Sequence, residues 1–214
     1  FNYSAINNFG AKESTGEVLV LLNNDIEVID SGWLTELVSH ATRPEIGAVG
    51  GRLYYSDDHV QHDGIIVGIG GVAGYAHPRL KRDSVGTFGG SRLIRNYSAV
   101  TAAVLAIRKC IFEEVNGLDE VNLKVAFNDV DFCLRVGEAG YRNLYTPYCE
   151  LYHHESLSRG PDIGAGKSAR FEKEVHYMKE RWSNAILRDP YYNSNLSLNH
   201  GYSIDANRGL GWPW

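Results

Sequence analysis

The run Val18-Leu19-Val20-Leu21-Leu22, followed at once by Asn23-Asn24-Asp25, constrains this chain more than any other feature. Five consecutive apolar residues suit a strand buried on both faces of an α/β sheet, where no polar alternation is needed. The switch to three polar residues falls at the strand's carboxyl end, where open α/β sheets gather their ligands. A helix is expected just before it, over Ser4–Ser14, with Ala5, Ile6, Phe9 and Ala11 sharing a face and Gly16 as its stop.

The same reading extends along the chain. Asp30 or Ser31 can cap a helix striped by Trp33, Leu34, Leu37 and Val38 and closed before Pro44. Ile46–Tyr55 reads as a strand with a glycine pair at Gly50-Gly51, and Ser98–Arg108 as a buried strand. Between them, Gly64–Arg95 is glycine-rich and basic without periodicity, which predicts a long functional loop with one short strand at its start. Asn128 is expected to cap a helix that Gly140 stops, and Asn143–Tyr152 to hold short strands broken at Pro147. Phe171, Val175, Met178, Trp182 and Ile186 recur at three- and four-residue steps, predicting one amphipathic helix over Ser168–Leu187. The expected organisation is one domain over residues 1–195 and an irregular tail over 196–214.

Composition excludes several classes. A net charge of −5 gives no footprint for nucleic acid, and Arg79, Lys81, Arg82, Arg92 and Arg95 read as a solvated basic loop. Cys110, Cys133 and Cys149 lack metal or disulfide spacing, which favours a reducing compartment such as the cytoplasm. No apolar run approaches the ~20 residues of a membrane span, and no signal peptide is visible. The start at Phe1 rather than Met, directly before a helix, leads us to expect a fragment.

Three groups can carry chemistry. Asp25, at the tip of a rigid strand, could hold Mg²⁺ or Mn²⁺ against a diphosphate, with Asn23 and Asn24 as weaker ligands or hydrogen-bond donors. Taken alone, the three read more naturally as a polar turn after a strand. In Asn128-Asp129-Val130-Asp131, Asp129 could act as a general base, although a helix N-terminus should lower its pKa; Asp131 pairs more naturally with Arg135, four residues on. Of the adjacent His153 and His154 only one can face such a site, and Arg159 in the following loop would suit a diphosphate. Asp57, Asp58, His59, His62 and Asp63 read as solvent-facing in a polar turn, and the glycines at 68, 70, 71 and 74 as an incomplete dinucleotide fingerprint.

In order, Phe1–Asn8, Leu21–Val28, Gln61-His62-Asp63-Gly64, Ser98–Ala103, Asn128–Arg135, Thr146-Pro147-Tyr148 and Tyr152–Ser156 resemble the family 2 glycosyltransferases, in particular bacterial rhamnosyltransferase-like and O-antigen-type enzymes. The resemblance implies a GT-A-type, Rossmann-like mixed sheet flanked by helices, whose nucleotide-binding strands would precede Phe1. It implies inverting transfer from a nucleotide-diphosphate sugar, with rhamnose the lead, to a saccharide or lipid-linked acceptor in polysaccharide synthesis. It makes Asp129 the catalytic base, Asp25 and His154 the metal ligands, Asn23, Asn24 and Arg159 the diphosphate contacts, and Asn128, Asp131, Thr101 and His153 acceptor or supporting residues. The implied setting is the cytoplasm, with peripheral association at the inner face of the membrane. Asn23 departs from the family's Asp-x-Asp pattern and removes one expected carboxylate. The rival expectations are a non-catalytic carbohydrate- or partner-binding module derived from a transferase, and a nucleotidyltransferase.

Overall fold

The apolar run forms strand β1 (Val18–Leu22), preceded by helix α1 (Tyr3–Glu13), whose N-terminus Asn2 caps by accepting from the Ala5 N–H at 3.0 Å. The structure, a computed structural model, describes residues 1–154, 165–199, 201–206 and 208. After β1 the chain turns through Asn23–Asp25 into β2 (Ile26–Val28), then α2 (Trp33–Ala41) and β3 (Ile46–Tyr54). The cap expected of Asp30 is a tighter local turn: its carboxylate accepts from Gly32 N–H at 2.6 Å, and Gly32 is the N-cap of α2.

The segment expected as a long loop is more ordered than its composition suggests. β4 (Val60–His62) precedes a hairpin of β5 (Ile65–Val67) and β6 (Ala73–Tyr75), and the segment closes with β7 (Arg95–Asn96). The incomplete glycine fingerprint makes the turn of that hairpin, where Gly68, Gly70 and Gly71 all take positive φ. Two of its arginines are in ion pairs: Arg79 with Asp57 at 2.6 Å, and Arg82 with Asp58 at 3.0 Å and Glu150 at 3.4 Å.

Strand β8 (Val104–Arg108) covers only the second half of the strand expected from Ser98, and a short helix α3 (Lys109–Glu114) follows. Then come α4 (Asn128–Glu138), β9 (Arg142–His153), α5 (Ala165–Arg181) and α6 (Ser183–Leu187). The main sheet runs β1-β8-β3-β9-β2, with β4 on β3 and β7 on β9; β3 and β9 are parallel and the remaining pairs antiparallel. Pro147 does not break β9. Pairing with β3 jumps from Gly50↔Tyr145 to Arg52↔Glu150, and Pro147 sits in the resulting bulge, where no ladder N–H is required. The Gly50-Gly51 pair permits this closeness, since a Cβ on Gly51 would lie 2.5 Å from Cys149 Sγ.

Two apolar clusters fill the two faces of the sheet. α2 covers one with Leu37 and Ala41 over Ile46, Val49, Leu53 and Leu151; the other packs Leu19, Leu21, Leu105 and Ile107 with residues of α3, α4 and α5. β1 is an edge strand, so Val18 and Val20 are half-buried rather than enclosed. The stripe on the last helix holds, with Met178 and Trp182 buried, each contributing about 1.5–3 kcal/mol. The helix is split at Trp182, whose backbone leaves helical geometry as its indole N–H reaches Asp131 at 2.9 Å.

Candidate functional site

Antiparallel pairing brings the ends of β1 and β9 together. Ile26 lies opposite His153, the Asn23 N–H donates to Ala103 O at 3.0 Å, and the His154 N–H donates to Asp25 O at 2.9 Å. This register decides which histidine faces the turn. His153 Nε2 lies 3.2 Å from Asp25 Oδ1 and 3.2 Å from Asn23 Nδ2. His154, expected beside Asp25, points to the other face, between Ser56 Oγ and Glu27 Oε2, each at 2.8 Å. His153 and not His154 is therefore the histidine beside Asp25, because neighbouring strand residues project oppositely.

The residues fit a divalent cation in a limited way. Asp25 Oδ1 is buried with no hydrogen-bond partner among the described residues. Two ligands about 2.1 Å from an octahedral ion, on adjacent vertices, lie about 3.0 Å apart, close to the 3.2 Å that separates Asp25 Oδ1 from His153 Nε2. Among the described residues no group of three His, Cys, Asp or Glu side chains could hold a metal. A cation on this pair would thus take its remaining ligands from a diphosphate and water. Asn24 is exposed at the same turn, and Arg159 lies outside the described residues.

Asp129 opens the other side of the site, in the first turn of α4. Its Oδ1 accepts from Val130 N–H at 2.9 Å and its Oδ2 from Ala102 N–H at 3.1 Å. Burial raises its pKa above the ordinary carboxylate value; the Ala102 and Val130 N–H groups and the Thr101 hydroxyl oppose this without cancelling it. The lowered value expected from the helix terminus is therefore reversed, because desolvation outweighs the donors. Asn128 does not cap α4. The N-cap is Phe127, with a left-handed backbone (φ 58°), and the Asn128 amide donates to Val125 O at 2.8 Å, pinning the preceding loop.

Asp131 faces away from this cavity and is fully buried. It accepts from Arg135 Nε at 2.8 Å and from the Trp182 indole, and Arg181 Nε lies 3.3 Å away. The expected Arg135 pairing is present, and it ties α4 to the end of α5.

Behind the site stand two residues expected to be solvent-facing or left without a role. Gln61 and His62 are both buried. Gln61 Oε1 lies 2.7 Å from His153 Nδ1, while His62 bridges Gly51 O at 2.9 Å and Thr101 N at 3.2 Å. Asp63 is buried too, paired with His77 at 2.7 Å. In the same motif Asp57, Asp58 and His59 behave as expected, in exposed ion pairs and turns. Tyr3 was also missed; its hydroxyl donates to Ala102 O at 2.8 Å.

Asn23, Thr101, Ala102, Asp129 and His153 line one cavity of about 420 Å³, walled by Tyr3, Tyr75, Phe127 and Phe171. A larger cleft of about 720 Å³, between α1 and the Asn116–Val121 loop, contains none of these groups.

Residues 2–95 match the sequence family described as Glycosyl transferase family 2. The chain is 52% identical over 198 residues to "Uncharacterized protein y4gI" of Sinorhizobium fredii, covering 92% of this chain and 22% of that protein. It is 42% identical over 199 residues to "O-antigen biosynthesis protein RfbC" of Myxococcus xanthus, covering 92% of this chain and 15% of that one. Over 92 residues it is 30% identical to the N-acetylglucosaminyl-diphospho-decaprenol L-rhamnosyltransferase of Mycobacterium tuberculosis, 42% of this chain and 30% of that enzyme. The chain thus spans less than a third of each of these relatives. Among solved structures, it is similar to GalNAc-T7 with UDP, GalNAc and Mn²⁺ (TM-score 0.60, 14% identity, 84% of this chain and 34% of that one). It is similar also to the mannosyltransferase PcManGT of Pyrobaculum calidifontis with GDP-Man and Mn²⁺ (TM-score 0.52, 14% identity, 85% and 43%). The ordered motifs, the match over residues 2–95 and these relatives make the chain similar to the family 2 glycosyltransferases, and its mixed sheet is a GT-A fold.

Proposed function

We propose that this chain supplies the base and the diphosphate anchor of an inverting sugar transfer. The donor is a nucleotide-diphosphate sugar, with rhamnose the lead candidate, and the acceptor is a saccharide or lipid-linked saccharide of a cell-surface polysaccharide. The observation that carries this reading is one cavity lined by a carboxylate of raised pKa, Asp129, and by the Asn23–His153 edge beside Asp25.

Asp129 accepts the proton of the acceptor hydroxyl as the oxygen attacks the anomeric carbon. The bond from that carbon to the diphosphate oxygen breaks, and its electron pair leaves with the nucleoside diphosphate. A pKa above the ordinary carboxylate value brings Asp129 closer to neutrality and makes it a stronger base. The Ala102 and Val130 N–H groups fix the carboxylate so that one orientation meets the acceptor. Asp25 and His153 would hold Mg²⁺ or Mn²⁺, which when bound offsets the charge gathering on the leaving diphosphate. Asn23 and Asn24 offer that diphosphate neutral amide donors. The similar structures hold Mn²⁺ with UDP and with GDP-Man, which supports the same ligand class here. The setting we propose is the cytoplasm, at the inner face of the membrane where an acceptor is lipid-linked; no helix among the described residues is long and apolar enough to cross a membrane.

The direct test is Asp129→Asn in the full-length protein, with donor binding followed by calorimetry. Transfer should fall by on the order of 10²–10⁴ while nucleotide binding stays near wild type. Transfer near the wild-type rate would overturn the assignment.

A further inference from the structure

Strand β4 sets two buried polar side chains behind the two halves of the site. Gln61 is 1% exposed and His62 fully enclosed, and as strand neighbours they project to opposite faces. On one face, Gln61 Oε1 lies 2.7 Å from His153 Nδ1. An amide carbonyl only accepts, so Nδ1 carries a proton, and in the neutral ring the lone pair of Nε2 then faces Asp25 Oδ1 and the Asn23 amide. With its proton on Nε2 instead, the same ring would donate to Asp25, 3.2 Å away, and close the edge that the proposed cation needs.

On the other face, His62 carries its proton on Nδ1, donating to Gly51 O, and accepts the Thr101 N–H at Nε2. The next residue is Ala102, whose N–H holds Asp129 Oδ2. Thr101 Oγ1 accepts from Ala103 N–H at 3.3 Å, and Ala103 O holds the Asn23 N–H. The Thr101–Ala103 segment therefore joins the base to the turn at the end of β1, and His62 anchors it to β3.

We propose that Gln61 and His62 form a two-sided positioning element: Gln61 sets which nitrogen of His153 is open to a divalent cation, and His62 sets the backbone that aims Asp129. This rests on the roles assigned above to His153 and Asp129. Neither residue touches substrate in this scheme; each acts through a neighbour.

The test begins with metal-free full-length protein and the ¹⁵N shifts of its imidazole nitrogens. His153 should be protonated at Nδ1 in the wild type and in Gln61→Glu, whose carboxylate also only accepts. It should move to the Nε2-protonated form in Gln61→Leu. An unchanged ring in Gln61→Leu overturns the inference. In transfer assays, the Mn²⁺ concentration for half-maximal rate should rise 10–100-fold in Gln61→Leu and return towards wild type in Gln61→Glu. His62→Leu should instead lower turnover at saturating Mn²⁺ by about 10²-fold without moving the Mn²⁺ requirement, and His62→Gln, which again offers Thr101 an acceptor, should recover much of it. If both leucine variants move both readouts together, the division of labour is wrong. Should His62→Leu not fold, the ¹⁵N spectrum of wild-type His62 decides that arm, since a ring protonated at Nε2 cannot accept from Thr101. A wild-type protein that transfers without Mn²⁺ would overturn the metal role proposed for Asp25 and His153, and one that transfers no sugar would overturn the transferase reading, whereas the tautomer arm is read without metal, donor or acceptor.

Discussion

Two aspartates in the first turn of α4 share a helix terminus and meet opposite fates. Asp129 faces the cavity, and its carboxylate is held by neutral N–H donors, those of Ala102 and Val130. Asp131 faces the α5 side and is held by Arg135, Arg181 and the Trp182 indole. Cations stabilise an ionised carboxylate and make it a poor base; neutral donors leave burial in charge, and burial raises the pKa. On the proposed function, one turn of helix thus separates a working face from a holding face.

The largest effect that could break this contrast is on catalysis. Asp129→Asn should reduce transfer by on the order of 10²–10⁴, about 3–5 kcal/mol in the barrier. Its effect on stability should stay within about 1 kcal/mol, since loss of the buried charge offsets the lost acceptor for Ala102 N–H. Asp131→Asn should do the reverse to the fold. It leaves Arg135, whose side chain is 14% exposed, facing no carboxylate. Breaking such a pair costs about 3–5 kcal/mol. Urea unfolding of both variants decides: equal destabilisation would erase the distinction between the faces.

Next in size is a pH effect on the neutral support of the working face. Burial lowers the His62 pKa from 6.5 to about 4. An unfolded chain takes up a proton near 6.5 that the folded ring refuses until about 4, so the contribution is present above 6.5 and is lost as pH falls through 4. The loss over that window is about 3 kcal/mol. Denaturant unfolding between pH 7 and pH 4 should show a flatter acid decline in His62→Gln than in the wild type. Parallel curves would mean that His62 carries no such linkage, and that the support behind Asp129 is not a permanently neutral ring.

The sequence displays one of these faces better than the other. β1 and its polar end, the Asp131–Arg135 spacing and the stripe through Met178 and Trp182 are all local patterns that stand in the fold, although β1 lies at the sheet edge with one face half-buried and the helix splits at Trp182. Asp129 was legible from its place at a helix start, but its raised pKa was not, because Ala102 and the walls of the cavity come from distant segments. The burial and partners of Gln61 and His62 were hidden for the same reason: His62 finds its partners in Gly51 and Thr101, and Gln61 finds His153 across the sheet. Within β9, period-two alternation establishes that only one of His153 and His154 can face the turn. The choice belongs to the register with β2, which pairs Ile26 with His153 and which no local pattern encodes. Pro147 misled in the opposite sense, since a bulge absorbs it and lets β9 run unbroken to that histidine.

The smallest expected effect tests that register directly. His154 pairs with Glu27 at 2.8 Å on the outer face, where the Glu27 side chain is 64% exposed. An ion pair this exposed contributes less than about 1 kcal/mol, so His154→Ala should change stability by no more than that and leave the Mn²⁺ concentration for half-maximal transfer at its wild-type value. His153→Ala should raise that concentration, because Asp25 then loses the imidazole 3.2 Å from its Oδ1. If the two alanine variants exchange these outcomes, β9 is shifted by one residue against β2 under turnover, His154 faces the turn, and Gln61 no longer stands behind the ring that matters.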